Sequence, residues 1–193
     1  MRINELAVSQ AASVVHSGGI IAYPTEAVWG LGCDPDNEQA CFDLLQIKQR
    51  PVEKGMILVA ASTDQLDFLL KMLSTSEQQQ LARAWQHQAE SGPVTFLVPD
   101  LASQVPLWIK GQHPAVAVRV SSHPLVKALC ERVGGPVVST SANLAGRPAV
   151  RTRVQLEKQL GHKLDFILPG SLGGAAKPSK IIDLASGRVM RAD

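Results

Sequence analysis

Aromatic residues, cysteines and long apolar runs are all scarce in this sequence. Aromatics make up 4% of the 193 residues, so a core drawn from a hydrophobic content of 45% must consist mainly of Leu, Val, Ile and Ala. No apolar stretch approaches the roughly 20 residues that span a membrane. The opening "MRINELAVSQ" also lacks the apolar centre of a secretion signal. The sequence therefore predicts neither a membrane anchor nor an export signal.

The three cysteines and the missing motifs exclude several protein classes. Cys33, Cys41 and Cys130 form no CxxC pair and no cluster at zinc spacing, and their odd number predicts reduced thiols in the cytoplasm. The sequence contains no GxxxxGK[ST] phosphate loop, no strand-linked GxGxxG, no GxSxG elbow and no HExxH. Metal-ligating residues are therefore not predicted from any motif.

Charge is divided unevenly along the chain. Residues 1–99 hold 6 Lys/Arg against 11 Asp/Glu, whereas residues 100–193 hold 13 Lys/Arg against 6 Asp/Glu. A basic half attracts polyanions such as nucleotides or nucleic acid, although a solvated surface explains the same composition. Composition leaves these two interpretations open.

Helical and strand patterns alternate along the sequence. Apolar runs such as "GIIAYP", "MILVAAS", "GPVTFLVP" and "AVAVRVSS" predict strands, and segments such as "NELAVSQAASVVHSGG" and "HPLVKALCERVGG" predict helices. The end, "SKIIDLASGRVMRA", predicts a hairpin that turns at Ser186 and Gly187. We therefore expect an α/β fold in which residues 1–193 form a single domain, a twisted mixed sheet with flanking helices.

Four polar patches lie at or near the ends of apolar strands, which is where sites of α/β proteins collect. In "YPTEAVWGLG", Thr25 offers a hydroxyl group and Glu26 a carboxylate. That carboxylate suits an ammonium group or Mg²⁺, and a solvated polar turn is the equal alternative. In "KQRPVEKG", Lys48, Arg50 and Lys54 suit a triphosphate, or some of them complement the end of a helix.

The other two patches lie in the second half of the chain. Arg119 sits inside the apolar strand "VAVRVSS", where its charge requires either a structural ion pair or a ligand carboxylate. In "VVSTSANLAGRP", Ser139, Ser141 and Asn143 lie in a loop that could present hydroxyl and N–H groups to an anion, although such loops are also common turns.

Together these patches resemble a known family. The segments "YPTEAVWGLGCD", "KQRP", "GPVTFLVP", "VAVRV", "STSANLAGRP" and "SKIIDL" follow in order across nearly the whole chain, and this pattern is similar to that of the YrdC/TsaC family of threonylcarbamoyl-AMP synthases. The family's lysine–x–arginine and serine–x–asparagine motifs stand here as Lys48-Gln49-Arg50 and Ser141-Ala142-Asn143.

The resemblance implies a YrdC-like fold and a nucleotidyltransferase that converts L-threonine, bicarbonate and ATP into L-threonylcarbamoyladenylate and pyrophosphate, for N6-threonylcarbamoyladenosine modification of tRNA. It implies Mg²⁺ with ATP, and proteins that transfer the threonylcarbamoyl group downstream. Lys48 and Arg50 are the expected catalytic residues. The expected ATP contacts are Lys48, Arg50, Lys54, Ser141, Asn143 and Arg191, and the expected threonine contacts are Thr25, Arg119, Ser139 and Ser179. Glu26 is a candidate outer ligand of Mg²⁺.

Two other functions fit parts of the sequence. A module without catalysis could bind double-stranded RNA, tRNA or rRNA through a basic concave face, which accounts for the charge of the second half. It does not account for Thr25 or Arg119 in apolar settings, and few aromatics are present for base stacking. A regulatory protein that binds ATP without threonine is the other alternative.

Overall fold

The computed structural model describes residues 3–144 and 146–191, with the side chain of Arg191 outside the described part. Its α-helices are α1 Glu5–His16, α2 Glu38–Lys48, α3 Asp67–Leu70, α4 Thr75–Gln86, α5 Gln88–Ser91, α6 Leu107–Lys110, α7 Pro124–Val133 and α8 Arg153–Leu160. Short 3-10 turns lie at Val52–Lys54, Asp64–Leu66 and Gly161–Lys163. Its strands are β1 Ile21–Pro24, β2 Trp29–Gly32, β3 Ile57–Ala60, β4 Val94–Pro99, β5 Ala115–Val120, β6 Val137–Ser141, β7 Phe166–Ile167, β8 Lys180–Asp183 and β9 Val189–Arg191.

The strands within the described ranges form one mixed sheet. Their order is β7-β1-β2-β6-β3-β5-β4-β8-β9. The pairs β1/β7, β3/β5 and β4/β8 are parallel, and the pairs β1/β2, β2/β6, β3/β6, β4/β5 and β8/β9 are antiparallel. The predicted mixed sheet with flanking helices is confirmed, and the predicted terminal hairpin forms between β8 and β9. The extent of the single domain, residues 1–193, stays a prediction.

Helices pack against both faces of the sheet. Successive strand residues point to opposite sides, so each central strand contributes to both layers. Val59 and Val137 pack with α1 and α7, whereas their neighbours Leu58 and Val138 pack with α2 and α4 in a second, larger core cluster. Apolar residues therefore occupy both positions of the alternation in the central strands. This explains why those strands appear in the sequence as continuous apolar runs.

Helix ends follow the capping rules that the sequence predicts. Asn4 accepts a hydrogen bond from Ala7 N at the start of α1, and Asn37 accepts one from Ala40 N at the start of α2. Ser74 and Glu77 form a capping box at the start of α4. The sequence of "STDQLDFLLKML" predicts one helix, but in the structure this segment divides into a 3-10 turn and the short α3. No helix among the described residues is long and apolar enough to cross a membrane.

Candidate functional site

A cleft of about 400 Å³ lies on one face of the sheet. Its floor consists of alternate residues from the central strands, and these alternate residues share a face because the side-chain period of a strand is two. The floor residues include Ile57 and Val59 of β3, Ala117 and Arg119 of β5, and Ser139 and Ser141 of β6. The same face carries the core cluster of α1 and α7 beyond the cleft.

The expected position at converging strand ends is therefore wrong. Strand β6 runs antiparallel to β3, and β5 runs antiparallel to β4. The carboxyl ends of these central strands therefore do not meet at one edge of the sheet. The polar residues of "VAVRV" and "VVSTS" come together because they share the pleat of the sheet. Arg119 lies opposite Val59, and Ser139 lies opposite Ile57.

Thr25 belongs to a tight turn that joins β1 and β2. Its backbone N–H donates to Val28 O at 3.1 Å, and its hydroxyl donates to the same carbonyl at 2.7 Å. The hydroxyl proton is thus engaged within the turn, and the oxygen of Thr25 is left with its acceptor capacity at the wall of the cleft. The predicted loop after β1 is in fact a hairpin, and β2 is the strand that the sequence did not predict.

Glu26 lies behind this turn and is buried, with 5% of its surface exposed. Its Oε2 lies 3.2 Å from Arg119 Nη1. Its Oε1 accepts hydrogen bonds from Ser121 Oγ at 2.6 Å and from Ser122 N at 3.1 Å. Burial alone raises the pKa of Glu26, but Arg119 and the hydrogen bonds outweigh burial and lower it. The solvated turn is therefore wrong for Glu26. Its role as an outer ligand of Mg²⁺ stays a prediction.

Arg119 has both features that the sequence left as alternatives. It forms the ion pair with Glu26, and it also lines the cleft. Its residue is 7% exposed, so a charge there requires compensation. Arg119 therefore stands at the wall of the cleft with an anionic partner on one side.

Lys48 lies outside the described cleft lining and contacts the loop after β6. Its Nζ donates to Ser141 O, to Asn143 O at 2.7 Å and to Asn143 Oδ1 at 3.1 Å. Burial, together with the charge of Arg50, lowers the pKa of Lys48 to about 8. Within the described ranges, neither Lys48 nor Asn143 is part of the cleft lining. Lys48 instead connects the end of α2 to the loop after β6.

Gln49, which lies between Lys48 and Arg50, causes these two side chains to point in different directions. Gln49 adopts a left-handed conformation with φ of 52°, which ends α2. Lys48 therefore points to the loop after β6, and Arg50 lines the cleft. Arg50 Nε and Nη2 donate to Gly55 O at 3.0 and 2.9 Å, and Nη2 also donates to Lys54 O at 3.1 Å. The guanidinium of Arg50 thus bonds to the backbone of its own loop at the edge of the cleft.

A second loop supports this cationic rim. Met56 N donates to Ile109 O at 2.7 Å, and Gly111 packs so closely that a Cβ there would lie 2.3 Å from Glu53 O. The φ of Gly111 is also +64°, so both space and backbone conformation require glycine at this position. Residues 100–114, between β4 and β5, therefore form a packed support for the loop of Arg50 and Lys54.

Three charged or titratable residues of the lining were missed from the sequence. Lys110 lies in the cleft wall, and its Nζ is 2.6 Å from the buried Asp100 Oδ2. His113 and Asp183 also line the cleft. Lys110 ends α6 and His113 follows it, in residues 100–114, where no local pattern of the sequence gave a signal. Asp183 ends β8, and its apolar neighbours indicated only a strand.

The remaining expected contacts lie in different places. Ser139, Ser141 and Ser179 line the cleft, and Ser179 Oγ is 2.8 Å from Thr95 Oγ1. Arg191 pairs with Ile181 through the strands β8 and β9, but its side chain lies outside the described part. Among the described residues, no group of three or more His, Cys, Asp or Glu side chains is arranged to hold a metal ion.

Comparisons with known proteins match nearly the whole chain. The family model Sua5_yciO_yrdC, described as "Telomere recombination", matches residues 13–192. A protein named threonylcarbamoyl-AMP synthase from Marinobacter nauticus is 52% identical over 186 residues, which are 96% of this chain and 95% of that protein. The protein of the same name from Pseudomonas aeruginosa strain UCBPP-PA14 is 55% identical over 181 residues, which are 94% of each chain.

A solved structure has the same fold over the same length of this chain. The crystal structure of P. abyssi Sua5 complexed with L-threonine superposes with a TM-score of 0.85 at 31% identity. The match covers 96% of this chain and 53% of that one, so this chain spans about half of the P. abyssi protein.

Proposed function

Because the chain belongs to the Sua5/YciO/YrdC family, we propose that it is a threonylcarbamoyl-AMP synthase. It forms L-threonylcarbamoyladenylate and pyrophosphate from L-threonine, bicarbonate and ATP. One observation carries this proposal. One part of the cleft wall has the buried Arg119 beside the turn of Thr25, and another part carries the cations Arg50, Lys54 and Lys110. Full-length relatives with the same name and a related structure complexed with L-threonine support the choice of substrate.

The threonine end of the cleft is the part formed by Arg119, Thr25, Ser139 and Ser179. The guanidinium of Arg119 suits the carboxylate of the amino acid, because a planar fork of N–H donors matches two carboxylate oxygens. The Thr25 oxygen accepts a hydrogen bond from the amino group or the side-chain hydroxyl of the substrate, since its own proton is engaged by Val28 O. Ser139 and Ser179 provide further hydroxyl contacts.

The nucleotide end is formed by Arg50, Lys54, Lys110 and Ser141. These cations suit the phosphates, and Ser141 lies on the opposite wall. Lys48 and Asn143 act from behind, by holding the loop that carries Ser141. Their direct contact with ATP stays a prediction, as does that of Arg191.

The reaction places most of its new charge on the phosphates. The threonine amine and bicarbonate condense to a carbamate with loss of water, and a carbamate oxygen then attacks the α-phosphorus as pyrophosphate leaves. Preorganised cations therefore contribute more than a titrating base. Mg²⁺ accompanies ATP and neutralises phosphate charge when bound. Asp183 is the one carboxylate among the described residues of the lining, so phosphates and water would supply most ligands of Mg²⁺.

The test is pyrophosphate release in the absence of RNA. Purified protein with L-threonine, bicarbonate and ATP is expected to release pyrophosphate, and omission of any one substrate is expected to stop it. Arg50→Ala is expected to lower kcat/KM for ATP by about a hundredfold or more, because a cation aimed at developing charge is lost. Release that is independent of threonine would favour a regulatory ATP-binding protein instead.

Arg153→Ala is the matched control, because Arg153 is an exposed arginine that pairs with Glu157 on the surface of α8. Its variant is expected to match the wild-type rate. An Arg50→Ala variant that folds and retains wild-type turnover would contradict the phosphate role.

The proposed setting follows from the activity. We infer a cytoplasmic protein whose product passes to tRNA through downstream threonylcarbamoyl-transfer proteins. Reduced cysteines support this location, since Cys33, Cys41 and Cys130 are all free and buried. Direct binding of tRNA or double-stranded RNA stays a prediction, which rests on the excess of cations in residues 100–193.

A further inference from the structure

Glu26 connects three segments of the chain at the threonine end of the cleft. Its side chain receives the hydrogen bonds of Ser121 and Ser122, which follow β5. Its backbone carbonyl accepts from Ala175 N at 2.8 Å, and the adjacent Thr25 O accepts from Gly173 N at 3.0 Å. The turn of Thr25, the end of β5 and the segment around residues 173–175 are thus held together at one residue.

Further hydrogen bonds hold in place the groups that donate to the carboxylate of Glu26. Ser121 Oγ donates to Glu26 Oε1 and accepts from His123 N at 3.1 Å. His123 is buried at the start of α7, and its Nε2 donates to Ser171 O at 3.0 Å. The carboxylate of Glu26 therefore has a defined orientation.

The contact with Arg119 leaves most of the guanidinium for a ligand. Arg119 Nη1 lies 3.2 Å from Glu26 Oε2 without hydrogen-bond geometry, and no other described residue receives a hydrogen bond from this guanidinium among the bonds that the structure gives. A guanidinium carries five N–H donors in a rigid plane. One edge can thus face Glu26 while the other faces a second carboxylate from the cleft.

Glu26 is not part of the described cleft lining, whereas Thr25 on one side of it and Ala27 on the other are. The carboxylate therefore acts from behind the wall. Resting on the function proposed above, we propose that Glu26 is a positioning residue, which holds Arg119 in the orientation that receives the carboxylate of threonine. It binds neither the substrate nor a metal ion itself.

The experiment compares two lesions of the same chemical kind. Glu26→Gln keeps the shape of the side chain and removes the charge that faces Arg119. Asp100→Asn removes the charge of another buried carboxylate that pairs with a cleft-lining cation, Lys110. Calorimetry with L-threonine and, separately, with ATP measures each dissociation constant.

Glu26→Gln is expected to weaken threonine binding by roughly ten- to hundredfold, because a small displacement of an orienting group has effects of this size. ATP binding is expected to stay within about twofold of the wild type. In turnover, KM for threonine is expected to rise much more than kcat falls. Asp100→Asn is expected to leave the threonine dissociation constant within about twofold.

Ser121→Ala serves where Glu26→Gln does not fold, since it removes one donor to the carboxylate and keeps the ion pair. It is expected to weaken threonine binding in the same direction by a smaller factor. Unchanged threonine binding in folded Glu26→Gln, or an equal loss of ATP binding, would overturn the positioning role.

A spectroscopic arm separates this inference from the proposed function. The ¹⁵N-detected side-chain signal of Arg119, assigned with Arg119→Lys, reports how firmly the guanidinium is held without any substrate. We expect Glu26→Gln to broaden or shift it. Wild-type protein that releases no pyrophosphate would overturn the proposed function, whereas an unchanged Arg119 signal in Glu26→Gln would overturn the positioning contact.

Discussion

At the scale of single residues, the pair of Glu26 and Arg119 determines what the threonine end of the cleft can do. A buried arginine is tolerated only beside an anion, and a substrate carboxylate is absent for part of each catalytic cycle. Glu26 supplies the charge during that part of the cycle. The ion pair and the substrate contact, which the sequence presents as alternatives for Arg119, are thus compatible roles of one side chain.

This pair gives the protein a defined dependence on pH. The pKa of Glu26 lies below its ordinary value of 4.5, so its ionised form stabilises the fold fully above that value. This stabilisation is lost as the pH falls through the lower pKa of the folded state. Glu26→Gln is therefore expected to lower the free energy of unfolding at pH 7 by about 3–5 kcal/mol, because it leaves Arg119 unpaired.

Urea denaturation of both proteins between pH 7 and pH 3 measures this difference. The gap between wild type and variant is expected to narrow as the pH falls below the ordinary value of a glutamate. A gap that is constant or that widens in acid would show that the charge of Glu26 does not stabilise the fold.

The sequence predicts that Arg119 needs a partner, but it cannot identify that partner. Ser121 and Glu26 are 95 positions apart, and only the position of the β1–β2 turn beside β5 brings them together. For the same reason the sequence did not reveal the pairing of Lys110, whose partner Asp100 lies at the other end of an irregular loop. Charged residues in apolar strands are visible in a sequence, whereas the pairing of such residues depends on the order of the strands.

At the scale of elements, the hairpin of β1 and β2 shows how glycines can belong to a strand. Two glycines in "WGLG" argue against a strand by propensity. Packing overrides propensity here: a Cβ at Gly32 would lie 2.4 Å from Val138 O and 2.9 Å from Tyr23 Cε1. The absence of side chains lets Tyr23 pack against β2 while β2 pairs with β6.

Gly32→Ala is therefore expected to destabilise the protein by about 3 kcal/mol, at the upper end of the usual cost of overpacking, because a backbone carbonyl cannot move as a flexible side chain can. Gly135→Ala is the control, since a Cβ there meets nothing within 4 Å and its backbone is not in the left-handed region. Thermal unfolding compares the two. Equal midpoints for both variants would contradict the close approach of the strands.

The loop between α2 and β3 shows the opposite case, in which a motif was found but its geometry was not. The two cations of "KQR" are separated by one residue, and the phosphate clamp expected from the motif has both facing one ligand. The left-handed backbone at Gln49 sends Lys48 to Asn143 instead. A sequence with glutamine at that position contains no sign of this turn, because glutamine rarely adopts a positive φ.

At the scale of the whole molecule, the acidic and basic halves of the chain are not two separate bodies. In the sheet, β2 and β3 come from the acidic half and are neighbours of β6 and β5 from the basic half. The cleft is likewise lined from both halves, by residues such as Arg50 and Lys54 from the first and Lys110 and Arg119 from the second. The charge imbalance along the sequence therefore does not correspond to two separate parts of the sheet.

This interleaving predicts that turnover and any RNA binding respond differently to salt. Exposed cations that bind phosphates of RNA lose affinity by roughly a thousandfold or more between 50 and 200 mM salt when six or more contacts are made. Arg119 is buried and paired within the cleft, so salt screens its interactions much less. In pyrophosphate release without RNA, KM for threonine is expected to change by less than about threefold over that range. Pyrophosphate release that requires tRNA, or that falls in parallel with RNA binding, would mean that nucleic acid completes the site. Potassium acetate in place of potassium chloride controls for the binding of a specific anion to the cations of the cleft.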